Sequence, residues 1–233
     1  MWPWVVGAAV VLIIGMANRG TDRQQAESPA AASSATPAAA TATTTTPPPT
    51  TVEPTTPPPP PEEPKVHQGR GDSVIKLDRR RAIGVVAFEC PKCTGNTVVK
   101  SDGAESLLVN EIGAYSGKRW IDIRENSRTT TLTVQARGAW KLTVGGIGLG
   151  RVVPAGEAVS GRGDDVLLVG GTSEVAKVTN TGEGNFAVHH ASMITARLEL
   201  LINEIGGYEG TVPFTGSALV QVTSSGKWTI APS

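Results

Sequence analysis

Apolar and polar residues alternate with a period of two through most of the chain beyond residue 70. The clearest cases are residues 132–136 (Leu-x-Val-x-Ala) and 140–144 (Trp-x-Leu-x-Val). This period places one face of a strand in a core and the other face in solvent. The pattern predicts short antiparallel strands and no long helix in this part of the chain.

The predicted strands fall into two series. The first series covers residues 73–77, 83–88, 96–100, 105–110, 118–123, 129–136 and 139–144. The second series covers residues 165–169, 175–179, 185–190, 195–203, 211–214, 217–223 and 227–231. A Gly-containing pair, Arg137-Gly138 or Ser225-Gly226, lies where the last hairpin of each series has to turn.

The two series are copies of one unit. The Gly-Arg-Gly-Asp sequence of residues 69–72 recurs at residues 161–164. Leu-Leu-Val-Asn-Glu-Ile-Gly at residues 107–113 recurs, with Ile in place of Val, at residues 200–206, and a Tyr-x-Gly sequence follows both. Landmarks that repeat in the same order identify a duplicated structural unit.

We therefore predict an all-β protein with two tandem, small antiparallel β-sandwich repeats that are jelly-roll-like. The first repeat is placed at residues 69–146, the second at residues 161–233, and the connection between them at residues 147–160. Units of this size are marginally stable alone, so the two repeats are expected to pack on each other. Trp140 and Trp228 alternate in phase with aliphatic residues and are predicted core positions.

The segment before the repeats has two parts. Residues 1–18 are predicted to form an apolar helix, which is either a transmembrane anchor or a signal peptide. Residues 19–68, rich in Ala, Thr and Pro, are predicted to be a disordered linker, because they have too few bulky apolar residues to form a core. We expect a single-pass cell-membrane protein with extracytoplasmic repeats, or alternatively a secreted protein. Arg19 and Arg23 argue against export, since positively charged flanks tend to stay in the cytoplasm.

Charge narrows the range of partners. Lys plus Arg and Asp plus Glu are both 21, so the chain has no net charge with which to attract nucleic acid. We expect no nucleic-acid partner and leave the oligomeric state open.

Three sequence features together resemble the β-sandwich repeats at the C-terminal ends of exported or membrane-anchored actinobacterial proteins. They are Phe-x-Cys-x-x-Cys-Thr-Gly-Asn at residues 88–96, the two Asn-Glu-Ile-Gly-x-Tyr-x-Gly blocks and the closing Gly-x-Trp strands. The resemblance covers nearly all of residues 69–231. It implies an all-β fold and an envelope location, and it assigns no catalytic or binding residue.

Cys90 and Cys93 are the only cysteines in the chain. They could form a local disulfide, remain free thiols, or supply half of a zinc site that His189 and His190 would complete. An exported location favours the disulfide, and we expect neither a metal nor a cofactor. The second copy has Thr-Gly-Glu-Gly-Asn at the matching place, so the cysteines are not required for the fold of each copy.

The Arg-Gly-Asp triplets at residues 70–72 and 162–164 raise the question of cell adhesion. A triplet at the same place in both copies more simply serves the turn that enters the first strand, where Gly permits the backbone conformation and Asp binds local N–H groups. We interpret both triplets as structural.

The block that the two copies share most closely supplies the candidate ligand-binding residues. They are Asn110, Glu111 and Tyr115 in the first copy and Asn203, Glu204 and Tyr208 in the second. Trp120 has no Trp counterpart in the second copy and is added as an exposed contact. A Tyr beside Asn and Glu can hold a sugar by stacking and polar contacts. Alternatively, Asn and Gly close a turn and Tyr covers the edge of the core.

No Ser-His-Asp set and no phosphate-binding loop is supported by the sequence, so no enzyme is expected. The prediction is a non-catalytic cell-envelope binding module, displayed on a stalk, that recognises carbohydrate or protein through loops of the two repeats. The alternative is a structural or assembly subunit of a surface structure, with no small ligand.

Overall fold

The computed structural model describes residues 63–80 and 82–233, which all belong to one compact unit. Their regular structure consists of seventeen β-strands and one short 3₁₀ helix, Ile147–Leu149. The all-β prediction is therefore confirmed for the described residues.

The strands fall into a first half before the 3₁₀ helix and a second half after it. The first half contains β1 (Lys65–Arg70), β2 (Ser73–Lys76), β3 (Gly84–Cys90), β4 (Asn96–Ser101), β5 (Leu107–Ile112), β6 (Tyr115–Ile121), β7 (Thr131–Gln135) and β8 (Ala139–Gly146). The second half contains β9 (Arg151–Val153), β10 (Val159–Arg162), β11 (Asp165–Val169), β12 (Val175–Asn180), β13 (Asn185–Ser192), β14 (Leu198–Ile205), β15 (Tyr208–Pro213), β16 (Ala218–Thr223) and β17 (Lys227–Pro232).

Each half contains two facing sheets. In the first half, sheet A has the order β1-β8-β3-β6 and sheet B the order β2-β7-β4-β5. In the second half, sheet D has the order β10-β17-β12-β15 and sheet C the order β14-β13-β16-β11-β9. If the strands of the second half are numbered from β10, their order in the two sheets is the same as in the first half. β9 is an additional strand, which pairs in parallel with β11.

Every half encloses its own apolar core between its two sheets. Phe88, Leu132 and Trp140 belong to the core of the first half. Phe186 and Trp228 belong to the core of the second. The predicted core positions of both closing tryptophans are therefore confirmed, and they occupy equivalent places.

A third apolar cluster joins the two halves. Val85 and Trp120 from the outer face of sheet A pack against Val166, Ala191 and Leu219 from the outer face of sheet C. This contact, called the junction below, confirms that the two copies pack on each other. Because both faces of sheet C are covered, residues 218–222 of β16 are all buried, without the alternation of a half-exposed strand.

The structure contains three strands that the sequence pattern did not predict: β1, β9 and β10. All three lie at sheet edges and have few apolar residues, so they have no alternation to detect. Because β1 begins at Lys65, the sheet starts within the stretch assigned to the linker. Because β9 pairs with β11, the predicted connection supplies a strand to the second half.

The predicted anchor or signal segment and most of the predicted linker lie outside the described residues. Within residues 63–80 and 82–233, no helix has the length and hydropathy needed to cross a membrane.

Candidate functional site

The two Gly-Arg-Gly-Asp turns hold the closing tryptophans. The indole N–H of Trp140 donates to the carbonyl oxygen of Gly71, and that of Trp228 to the carbonyl oxygen of Gly163, both at 2.8 Å. Gly71 and Gly163 have φ angles of +76° and +72°, a conformation that favours glycine. The same turn therefore fastens the same core residue in each half.

The first glycine of each turn lies beneath the tryptophan ring on the neighbouring strand. A Cβ atom at Gly69 would lie 2.4 Å from the ring of Trp140, and one at Gly161 would lie 2.2 Å from that of Trp228. The first glycine of the turn therefore allows close packing, the second allows the positive φ, and the aspartate accepts a backbone hydrogen bond. These roles support the structural interpretation of both triplets.

The shared Asn-Glu-Ile-Gly-x-Tyr-x-Gly block is the corner where the chain crosses between the two sheets of a half. Gly113 and Gly206 have φ angles of +91° and +95° there. Their carbonyl oxygens accept hydrogen bonds from the Thr97 hydroxyl at 2.7 Å and the Asn180 side-chain amide at 2.8 Å. These bonds tie each corner to a strand of the same half, β4 in the first half and β12 in the second.

The two tyrosines of the corner cover the edge of the cores. The hydroxyl of Tyr115 would lie 2.6 Å from a Cβ at Gly117, and that of Tyr208 would lie 2.5 Å from a Cβ at Gly210. Tyr115 is buried and Tyr208 half-buried. The expectation of an exposed tyrosine platform is therefore wrong for Tyr115, because its ring fills the open edge of the sandwich.

Cys90 and Cys93 form a disulfide in the structure. It lies in the loop between β3 and β4, and Gly138 of the last hairpin packs against Cys93. In the second half, Asn180 lies opposite Tyr208 just as Cys90 lies opposite Tyr115. A hydrogen-bonded amide thus takes the place of the disulfide there.

Trp120 was expected to be an exposed contact, and the structure corrects this. Its side chain is only 4% exposed because it lies in the junction. Its ring contacts His189 edge-on, with 6.0 Å between the ring centroids, and its backbone N–H donates to the Gln221 side-chain oxygen at 2.9 Å. The absence of a matching Trp in the second copy is explained by this role, since only one junction exists in the described chain.

Asp164 is the polar centre of the junction. Its carboxylate accepts hydrogen bonds from the Ser224 N–H at 3.0 Å and from the Tyr115 hydroxyl at 2.8 Å. The Arg119 guanidinium lies 3.2 Å from the same carboxylate and donates to the Thr223 hydroxyl. The Asp of the second turn therefore fastens the two halves together, in addition to its role within its own half.

Within residues 63–80 and 82–233, the matching Asp72 makes only the local bond, accepting from the Ala136 N–H at 3.0 Å. Burial raises the pKa of Tyr115 above its usual value, and the negative charge of Asp164 raises it further. The pKa of Glu111 is raised by partial burial and by Asp164, and Arg119 opposes this shift. Glu111 thus lies at the rim of the junction.

The edge strands β5 and β14 display the same residues in the same way. Leu107 and Leu200 are 54% and 52% exposed, and Ile112 and Ile205 are 84% and 85% exposed. Asn110, Glu111, Asn203 and Glu204 are exposed as well. We call these eight residues the edge strips. Each strip begins with the leucine, and the first contains Leu107, Asn110, Glu111 and Ile112.

The sequence pattern indicated the Asn-Glu pairs of the strips but not the aliphatic residues beside them. The signal was present, because an isoleucine precedes the corner glycine in both copies. Its exposure was not predictable from alternation, since the strand continues beyond the cover of the neighbouring sheet.

A groove of about 180 Å³ opens at the junction. Its apolar lining includes Leu107, Ile123 and Leu198, and its polar lining includes Arg119, Arg124 and His189. The groove lies between an edge strand of each half.

Comparisons with known proteins give no family for this chain. No family model and no curated protein matches it. Among solved structures, the stem and receptor-binding domain of the spike protein P1 from bacteriophage PM2 matches at 12% identity, covering 75% of this chain and 79% of that one, with a TM-score of 0.12. A score this low carries no argument about fold or function.

Proposed function

We propose that this chain is a non-catalytic, protein-binding module that displays two equivalent recognition edges. The observation that carries the proposal is the matched exposure of the edge strips in the two halves. Exposed aliphatic residues cost free energy in water, and the fold does not require them at the end of an edge strand. Two strips of the same composition are best explained by a partner that engages both.

A protein partner fits the strips better than a carbohydrate does. Sugars are commonly held by stacking on exposed aromatic rings, and the tryptophans and phenylalanines of the described residues are buried. The strips instead offer aliphatic side chains next to Asn and Glu, a composition suited to a protein interface with an apolar centre and polar rim. We propose a protein of the cell envelope as the partner.

We infer that each half is a jelly roll, a double-sheet architecture that occurs in capsid and lectin domains, because its strand order fits that architecture. We propose that the chain contains two tandem copies of it. Fold alone does not assign a function, so the proposal rests on the strips. The N-terminal apolar segment and the linker support display of the module from a membrane.

Site-specific photocrosslinking tests the proposed surface. A photoreactive residue is placed at Ile112, at Ile205 or, as a control outside the strips, at exposed Val152 in the full chain, which is then incubated with envelope fractions. Products that form from the strip positions and not from position 152 identify a protein partner. Products that are equal at all three positions overturn the proposal, and so does retention by purified envelope polysaccharide alone.

The identified partner then tests bivalency. Ile112→Glu and Ile205→Glu should each lower its apparent affinity, by about 100-fold if both edges engage together, and the double variant should abolish binding. Val152→Glu should bind like the wild type. Full binding by the double variant contradicts the proposal.

A further inference from the structure

We propose that the junction groove binds the carboxylate of a small branched aliphatic acid, either a free acid or the C-terminal residue of a peptide. This site is separate from the edge strips, although Leu107 belongs to both. The proposal stands on the shape of the groove, on an unsatisfied polar atom within it and on the charges around it.

The groove has the size and apolar walls for a short aliphatic chain. Its volume of about 180 Å³ is enough for a side chain the size of leucine, and it is lined by Leu107, Ile123 and Leu198. Leu107 and Leu198 are substantially exposed, so the walls present apolar surface to whatever enters. Clefts between packed units are common positions for ligand sites.

His189 supplies an unsatisfied polar atom at this place. Its Nδ1 atom is buried and has no hydrogen-bond partner among the described residues. Such atoms are few in folded proteins, because an unpaired buried polar group costs free energy. A ligand that hydrogen-bonds to this nitrogen removes that cost.

Two arginines line the groove with His189, Arg119 on β6 and Arg124 after it. Each also lies near a carboxylate: Arg119 is 3.2 Å from Asp164, and Arg124 is 3.7 Å from Glu105. Glu105, before β5, accepts from the Asp122 N–H at 2.8 Å through one oxygen, and its other oxygen is buried without a hydrogen bond among the described residues. β16 contributes the uncharged Gln221 to the lining of the groove, and β14 contributes Leu198. Burial, and then the positive charges of Arg119 and Arg124, lower the pKa of His189. A bound carboxylate offsets that positive potential.

Binding should therefore be linked to proton uptake. The imidazole of the free protein is neutral over a wider pH range than an ordinary histidine, and a carboxylate beside it raises its pKa. The proton taken up on binding converts the contact to a charge-assisted hydrogen bond. Affinity should increase as the pH falls between about 8 and about 5, by at most about tenfold per pH unit for one proton.

Histidine-selective NMR on the full chain tests this site, because the chain has three histidines. Isovalerate should shift the His189 signals and raise the pKa measured from them. His190, whose Nε2 lies 2.7 Å from the Thr215 carbonyl oxygen, should not change. Isovaleramide, which has the same shape without the charge, should have no effect. No shift of His189 by isovalerate or by N-acetyl-leucine overturns the proposal.

The probes also separate the two sources of the ligand. Binding of isovalerate assigns a free acid, and binding of N-acetyl-leucine alone assigns a chain terminus. Arg124→Gln should weaken binding at least tenfold, whereas Arg128→Gln, on the same loop and exposed, should not change it. Equal binding by both variants overturns the role of the positive charge. The strip variants Ile112→Glu and Ile205→Glu should leave isovalerate binding unchanged, so failure of the two proposals can be told apart.

Discussion

Pairs of an aromatic residue and a glycine account for much of the internal repeat at the scale of single residues. Gly69 and Gly161 lie beneath tryptophan rings of the neighbouring strand, and Gly117 and Gly210 lie beneath tyrosine rings of their own strand. A ring can lie flat on a sheet only where no side chain rises below it. Each ring therefore depends on the glycine next to it for its packed position.

Alanine at Gly161 should destabilise the protein by about 1 to 3 kcal/mol, because the new Cβ would push the Trp228 ring out of its packed position. Chemical denaturation of the full chain measures the loss. Gly148→Ala is the matched control, since a Cβ there meets no atom within 4 Å, and it should leave the free energy of unfolding unchanged. Equal stability of the two variants would show that the ring can move at no cost.

At the scale of elements, the loop between the third and fourth strands of each half is fastened in two ways. In the first half, the disulfide joins Cys90 at the end of β3 to Cys93 in the loop. In the second half, Asn180 at the equivalent end of β12 donates its amide to the Gly206 carbonyl oxygen. In both halves, the backbone N–H of the corner glycine, Gly113 or Gly206, donates a hydrogen bond to this loop. One fold therefore tolerates either solution.

Replacing both cysteines by serine should cost about 2 kcal/mol and leave the fold intact, because a disulfide that closes so short a loop removes little entropy from the unfolded chain. The two cysteines are only three positions apart. Thermal unfolding and far-ultraviolet circular dichroism measure both effects. Loss of the β-sheet signal in the double variant would refute the equivalence of the two loops.

At the scale of the whole molecule, the junction makes one unit from two sandwiches. The outer faces of sheets B and D are more polar, although each also has an exposed valine, Val74 on sheet B and Val175 on sheet D. Sheet B carries Lys76, Lys100, Thr131 and Thr133, and sheet D carries Lys177, Thr179, Thr211 and Thr229. Polar outer faces end a stack of repeats, as in terminal units of repeat proteins. The outer faces of sheets B and D therefore differ in composition from the two apolar faces that meet at the junction.

Asp164→Ala should cost about 3 kcal/mol, because it leaves Arg119 and the Tyr115 hydroxyl without their buried partner. Asp72→Ala is the matched control, since it removes the equivalent local bond and nothing between the halves, and its cost should be smaller. Denaturant unfolding measures both variants, and the Asp164 variant should also show earlier exposure of Trp120 by fluorescence. Equal costs would mean that Asp164 contributes nothing to the junction.

Local patterns were sufficient to predict most strands and the duplication. Strands such as β7 and β8 alternate and are joined by a Gly-containing turn, and these are properties of neighbouring residues. The edge strands β1, β9 and β10 were missed, because each is held by a partner strand and has little apolar pattern of its own. The disulfide was among three states that sequence alone left open.

The sequence by itself determined the all-β class, the repeated order of landmarks and the core positions of the closing tryptophans, because strand periodicity and turn chemistry act over a few residues. Only the tertiary structure decided that Trp120 is buried, that Asp164 differs from Asp72, and that the isoleucines of the strips face solvent. Each of these depends on which sheet covers which face, and that cover comes from residues far away in the chain.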